Sequence, residues 1–261
     1  MDKSKNYLIY LYLIIATALW GGNIIVAKMA SNFLFEPIKL SFYRNIVVIV
    51  ILLPFILNKL NFLFNQFIQN WKMMIILSIF GVSIFNSFMN TALITSSVIS
   101  TSLMPSFAPA LIILFSLIIY NSKILFSQLI GVIISFIGFI GIIIRGDISN
   151  LESLNFVEGD LWMLGCVCSW AFYSVMLKKA PKKIDNISFL FLIFFIGNIF
   201  LTPFFIYESN LYNSYYIDEK WGWHLVLYVA IGPALISFLL WIKSVKVLGP
   251  NKSGLFLNLI P

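Results

Sequence analysis

The chain has 261 residues, of which 61% are hydrophobic and only 10% charged. A soluble domain carries roughly 25% charged residues and must cover itself with polar groups, so a soluble fold is excluded and lipid is the solvent for most of the chain. The net charge of +7 sits between apolar runs and reads as loop charge at a membrane surface, not as a nucleic-acid footprint.

In chain order, apolar runs cover Tyr7–Ala27, Leu40–Leu57, Met73–Leu93, Val98–Tyr120, Leu125–Ile144, Leu161–Leu177, Ile187–Tyr207 and Trp221–Ile242. Each is about long enough to cross the ~30 Å hydrocarbon core as a helix. None alternates apolar and polar residues as a barrel strand would. The first run follows Lys3 and Lys5 and contains Ala16-Thr17-Ala18, which mimics a cleavage site. It stays apolar to Ala27, so it reads as an uncleaved first helix. The connection Asn58–Lys72 carries Phe62, Phe64, Phe67 and Trp71 and reads as a short amphipathic segment in the interface. Cys166 and Cys168 point to nearly opposite sides of one helix, which suits packing better than a disulfide or a metal site. A ninth run starts near Ser253 and stops at Pro261.

Charge sets the orientation. With the N-terminus in the cytoplasm, the inner connections hold twelve basic residues and the outer ones three, Lys39, Arg145 and Lys220. That bias predicts a multi-pass protein of the inner (plasma) membrane.

The chain repeats itself. Trp20 is followed by Lys28, and Trp170 by Lys178, an offset of 150; Pro109 and Pro261 are offset by 152. Five crossings separate the copies, and an odd number inverts the second, the plan of many secondary transporters. The expected fold is an all-α, polytopic helical bundle of two inverted five-helix repeats, residues 1–146 and 157–261. Ten helices are expected, with eight complete, a ninth partial and a tenth beyond Pro261.

These residues also carry a resemblance. Trp20-Gly21-Gly22-Asn23 with Lys28, Ser41-Phe42-Tyr43-Arg44, Asn90-Thr91-Ala92-Leu93, Ser106-Phe107-Ala108-Pro109, Leu248-Gly249-Pro250 and Asn258-Leu259-Ile260-Pro261 together resemble the EamA family of the drug/metabolite transporter superfamily. The resemblance implies ten helices in two inverted halves, cytoplasmic termini and a central cavity for small metabolites such as amino acids, frequently exported. One departure is the stretch Tyr120-Asn121-Ser122-Lys123, where the family commonly has a Gly-Glu pair.

Polar residues within spans tend to face the bundle interior. Helical spacing puts Trp20 with Asn23, Asn86 with Asn90, Trp170 with Tyr173 and Ser237 with Trp241 on shared faces. These eight are the candidate solute-binding residues, suited to a zwitterionic or aromatic molecule; interhelical bonding or an aromatic belt would use the same residues. Arg44 is expected to pair with Glu36 or with carbonyls near the outer boundary, and Lys28 to snorkel, with anion binding as the other role of both. Pro105 and Pro109 are candidate hinges. Gly131, Ser135 and Gly138 form a small-residue stripe expected to pack within the protein.

The sequence holds one histidine, His224, and no Asp or Glu inside a run. Neither a catalytic constellation nor a metal-ligand set can be assembled, and no cofactor motif is present. Facilitated diffusion or exchange is expected rather than proton coupling. The alternatives are a membrane scaffold or assembly protein, and an intramembrane enzyme. Expected partners are membrane lipid and a small-molecule substrate, with no nucleic acid, in a monomer or homodimer.

Overall fold

The computed structural model describes residues 3–32, 36–122, 126–143, 157–217 and 222–261. The chain is an all-α polytopic membrane protein. Helix α1 spans Lys3–Asn32 and α2 spans Pro37–Ile56, with Pro37 in the first turn, where its missing N–H costs nothing. After a tight turn at Leu57–Lys59 come α3, Leu60–Ser78, a π-helical turn at Ile79–Ile84, and α4, Phe85–Thr95.

The run from Pro37 to Thr95 is 59 residues of helix, about 90 Å if straight and far too long for one crossing. It bends at Lys59 and again at Asn70, whose φ of −125° and ψ of 20° are non-helical. The expected amphipathic segment is thus a helical turn-around. It buries Leu63 and Gln66 and exposes Phe62, Phe64 and Ile68.

Next follow α5, Val98–Leu103, a 3₁₀ turn at Met104–Phe107, α6, Ala108–Tyr120, and α7, Phe126–Ile143. The second stretch begins with α8, Glu158–Met176, and α9, Asn186–Tyr212. It continues with α10, Gly222–Val229, a second π-helical turn at Ala230–Ile236, and α11, Ser237–Leu248. It closes with α12, Pro250–Gly254, and a 3₁₀ turn at Leu255–Leu259. Gly249 takes φ of +83° between α11 and α12, a backbone state open to glycine at no steric cost.

Helix α9 lies along α2 and α3; α8 packs on α4 and α6; α1 packs on α4 and α11. At the α2–α9 seam Phe42 stacks on Phe205 with centroids 4.1 Å apart. Where the π turn loosens the helical ladder, hydroxyls take up the slack: Ser169 donates to the Phe80 carbonyl at 2.7 Å. The small-residue stripe on α7 behaves differently from the expectation. A methyl added at Gly131 or Gly138 would meet no described atom, so this face is not packed against the described helices.

Asp185 ties two ends of the fold together. It caps α9 by accepting the Ser188 N–H at 3.0 Å, and it accepts from Lys59 at 3.0 Å. Burial pushes its carboxyl up, but the Ser188 bonds and the Lys59 ammonium outweigh that and hold it at about 2, below the ordinary 3.8. A depressed carboxylate contributes its stability above its unfolded value and loses it as pH falls through the folded one. Asp185→Ala is therefore expected to cost about 1 kcal/mol at neutral pH. The deficit should shrink below about pH 4 and vanish near pH 2, as read by denaturation of the purified protein.

Candidate central site

The centre of the bundle is aromatic. Trp20 of α1 and Trp170 of α8 meet edge to face with centroids 4.9 Å apart. Trp241 of α11 lies 5.4 Å from Trp20 and 5.5 Å from Trp170, and Tyr173 lies 5.2 Å from Trp170. Phe85 and Phe238 close the cluster, at 4.5 Å and 5.3 Å from Trp170. All four of the expected aromatic residues are therefore gathered in one place and buried. Such edge-to-face pairs add to the burial of area.

Their polar ends are treated unequally. The Trp20 indole N–H donates to the Pro233 carbonyl, in the second π turn, at 3.1 Å. Trp170 Nε1, Trp241 Nε1 and the Tyr173 hydroxyl are buried without a hydrogen-bond partner. Unpaired buried donors are costly, and here three of them belong to one aromatic cluster.

A cavity of about 30 Å³ lies against this cluster, walled by Trp20, Ile24, Phe85, Met89, Met163 and Trp170 among others. It has room for a water or two and none for a metabolite, so the centre is closed. A larger recess of about 600 Å³ opens at the end of the bundle where α4 meets α8, lined by Thr95, Ser96, Ser97, Ser100 and Asp160.

The polar candidates divide. Asn23 donates weakly to the Met89 sulfur at 3.5 Å, and its Oδ1 is buried without a partner. Asn86 donates to its own helix, to Val82 O at 2.8 Å, and its Oδ1 is also free. Asn90 does not line the centre: its amide donates to Ser41 Oγ at 2.9 Å and to the Pro37 carbonyl at 3.3 Å, fastening α4 to α2. Ser237 donates to the Gly232 carbonyl at 3.2 Å, within the second π turn.

The charged candidates are corrected more sharply. Lys28 does not snorkel. Its ammonium donates to Leu93 O at 2.6 Å and Ser96 O at 3.2 Å, carbonyls at the end of α4 that a helix leaves open. Glu36 pairs with Lys39, not with Arg44; Arg44 Nε and Nη2 are buried with no partner. Pro105 opens the 3₁₀ turn and Pro109 stands in the first turn of α6, so the two flank a break inside the helical span Val98–Tyr120.

Among the described residues, three carboxylates, Glu158, Asp160 and Glu208, lie within helices where these extend past the apolar runs. Glu208, 6% exposed in α9, accepts the N–H groups of Ile38 at 3.1 Å and Lys39 at 2.8 Å. It thereby caps α2 at the end where the helix dipole favours a negative charge. Asp160, in the first turn of α8, accepts from Ser96 Oγ at 2.5 Å.

Phe85, Met89 and Met163, which wall the cavity with Cys166, were not singled out from the sequence. Phe85 and Met89 are four apart on one face, the same signal that drew attention to Asn86 and Asn90.

A helical bundle of long apolar spans around a buried aromatic centre is a multi-pass membrane protein. The chain belongs to the EamA-like transporter family, whose model matches residues 7–144 and 157–261. It is 25% identical to the uncharacterized transporter YyaM of Bacillus subtilis strain 168, over 98% of this chain and 84% of the relative. It is 24% identical to an uncharacterized transporter of Archaeoglobus fulgidus, over 99% and 86%. A solved crystal structure superposes with a TM-score of 0.62 at 18% identity, covering 96% of this chain and 86% of the other; the likeness is one of fold.

Proposed function

We propose that the protein is a secondary carrier of a small metabolite, such as an amino acid or a related compound. It would work by alternating access between two inverted halves, residues 1–146 and 157–261. The observation that carries this reading is the meeting of Trp20 and Trp170, equivalent positions 150 residues apart, at the closed centre of the bundle. Equivalent residues touch where they lie on the axis that relates two halves.

Local irregularities support the same reading because they recur at the same offset. The π turns at Ile79–Ile84 and Ala230–Ile236 begin 151 residues apart, and the 3₁₀ turns at Met104–Phe107 and Leu255–Leu259 also begin 151 apart. Pro54 in α2 and Pro203 in α9 are 149 apart. Such breaks are rare in ordinary helices and frequent at functional sites. Repeated in both halves, they supply matched places where one half can rock against the other.

The twelve-to-three distribution of basic residues supports a cytoplasmic N-terminus in the inner membrane. Glu208 and Asp160 are engaged in fastening helices, so exchange or facilitated diffusion is the proposed mode.

The test is uptake into proteoliposomes holding the full chain, with a panel of amino acids, nucleosides and cationic amines. At least one is expected to enter saturably and faster than into protein-free vesicles. Asn23→Ala is expected to slow that solute about tenfold, the equivalent of one hydrogen bond of about 1.4 kcal/mol. Uptake of none of them, with Asn23→Ala indistinguishable from the parent, is what a scaffold would give and ends the carrier reading.

A further inference from the structure

Arg44 stands two turns into α2 and is 2% exposed. Its Nε and Nη2 atoms have no partner. These two nitrogens form the side-on edge of the guanidinium, which takes both oxygens of a carboxylate at once. Among the described residues, Glu36 pairs with Lys39 and Glu208 accepts from the backbone of Ile38 and Lys39, so neither pairs with Arg44. Leaving the edge of a buried guanidinium unpaired is strongly unfavourable, so a working state in which it meets an anion is called for.

The surroundings are built to the same purpose. Helix α2 packs on α4 and on the second π turn, and α1 packs on both, so these elements enclose the inward face of α2. The Asn90–Ser41 bond at 2.9 Å sets the register between α2 and α4. One turn deeper come Asn45 and Asn86. Asn45 is fully buried with both amide atoms unpaired, and the Oδ1 atoms of Asn86 and Asn23 are unpaired too. Two residues before Asn23 on α1 lies the Trp20-Gly21 step of the aromatic centre, whose indole reaches Pro233 in that same π turn.

We propose that the Nε–Nη2 edge of Arg44, with the Asn45 amide beside it, binds a carboxylate of the transported solute. The solute class is then a small organic acid or an amino acid, with its apolar or aromatic part toward Trp20 and Trp170, and not a neutral nucleoside or a cationic amine. This rests on the carrier reading above and narrows it.

The experiment is thermal unfolding of the purified full chain with two matched pairs of probes, 3-phenylpropionate against 3-phenylpropionamide and phenylalanine against phenylalaninamide. A ligand that binds the folded state raises Tm. Both acids are expected to raise Tm and both amides to leave it unchanged. Arg44→Gln is expected to abolish the acid shift. Arg44→Lys keeps the charge but loses the bidentate edge, and is expected to weaken the apparent affinity about tenfold or more; it serves alone if the glutamine variant does not fold. If amides stabilise as well as acids, or the acid shift survives in Arg44→Gln or is undiminished in Arg44→Lys, the assignment of Arg44 is overturned while the carrier reading stands. If no probe moves Tm, the assignment falls, and the uptake panel decides the carrier reading by itself.

Discussion

Replacing Trp170 with alanine is expected to lower stability by about 3–5 kcal/mol and to abolish transport. Trp170 is 3% exposed and touches Trp20, Phe85, Tyr173, Phe238 and Trp241. Truncation removes the ring on which five others lean, and the space left is walled by large aromatics that cannot collapse into it. Trp170→Phe keeps an aromatic ring but drops the second ring with its indole N–H, which has no partner in this closed state. It is therefore expected to lose less stability than the alanine variant and still to transport poorly, because the orphan donor is what the solute would meet. Denaturation and uptake measured on both variants separate the two effects. A phenylalanine variant that transports normally removes the indole N–H from the site.

Gly159→Ala is the second large effect expected, of about 1–3 kcal/mol. A methyl at Gly159 would run into the Ala92 carbonyl and the side-chain oxygens of Thr95 and Ser96. The backbone there cannot retreat, since the Gly159 N–H donates to Thr95 Oγ1 at 2.8 Å and Ser96 holds Asp160. The α4–α8 seam should open at the recess and loosen the Lys28 contacts with Leu93 and Ser96 as well. The measurement is Tm of the variant against the parent. An unchanged Tm would mean that α8 does not approach α4 this closely.

The helices were legible because each is a long apolar run, a signal that does not depend on tertiary structure. The aromatic centre was legible in its members, Trp20, Trp170, Tyr173 and Trp241. The polar faces were not, and the reason is local. A π turn inserts one extra residue and rotates the following helix by about 100°. After Ile79–Ile84, it is Phe85 and Met89 that face the cavity, while Asn90 turns to Ser41 on α2. Spacing within a helix tells which residues share a face, and not what that face meets. Glu208 shows the limit most clearly: it caps a helix that begins 171 residues earlier in the chain, at Pro37. Lys28 likewise finds carbonyls of α4 that no pattern around it announces. Pro105 and Pro109 did mark a break in the span Val98–Tyr120, since a proline leaves a backbone hydrogen bond unmade.

The central claim is that this closed centre opens to each side of the membrane in turn. Ile24 walls the central cavity and is 3% exposed. In a chain carrying Cys166→Ser and Cys168→Ser, Ile24→Cys supplies one thiol at the centre. A membrane-impermeant methanethiosulfonate reagent is applied to right-side-out vesicles and, separately, to inside-out vesicles. The expected result is modification from both sides. Modification from one side only, or from neither, would contradict alternating access through this centre.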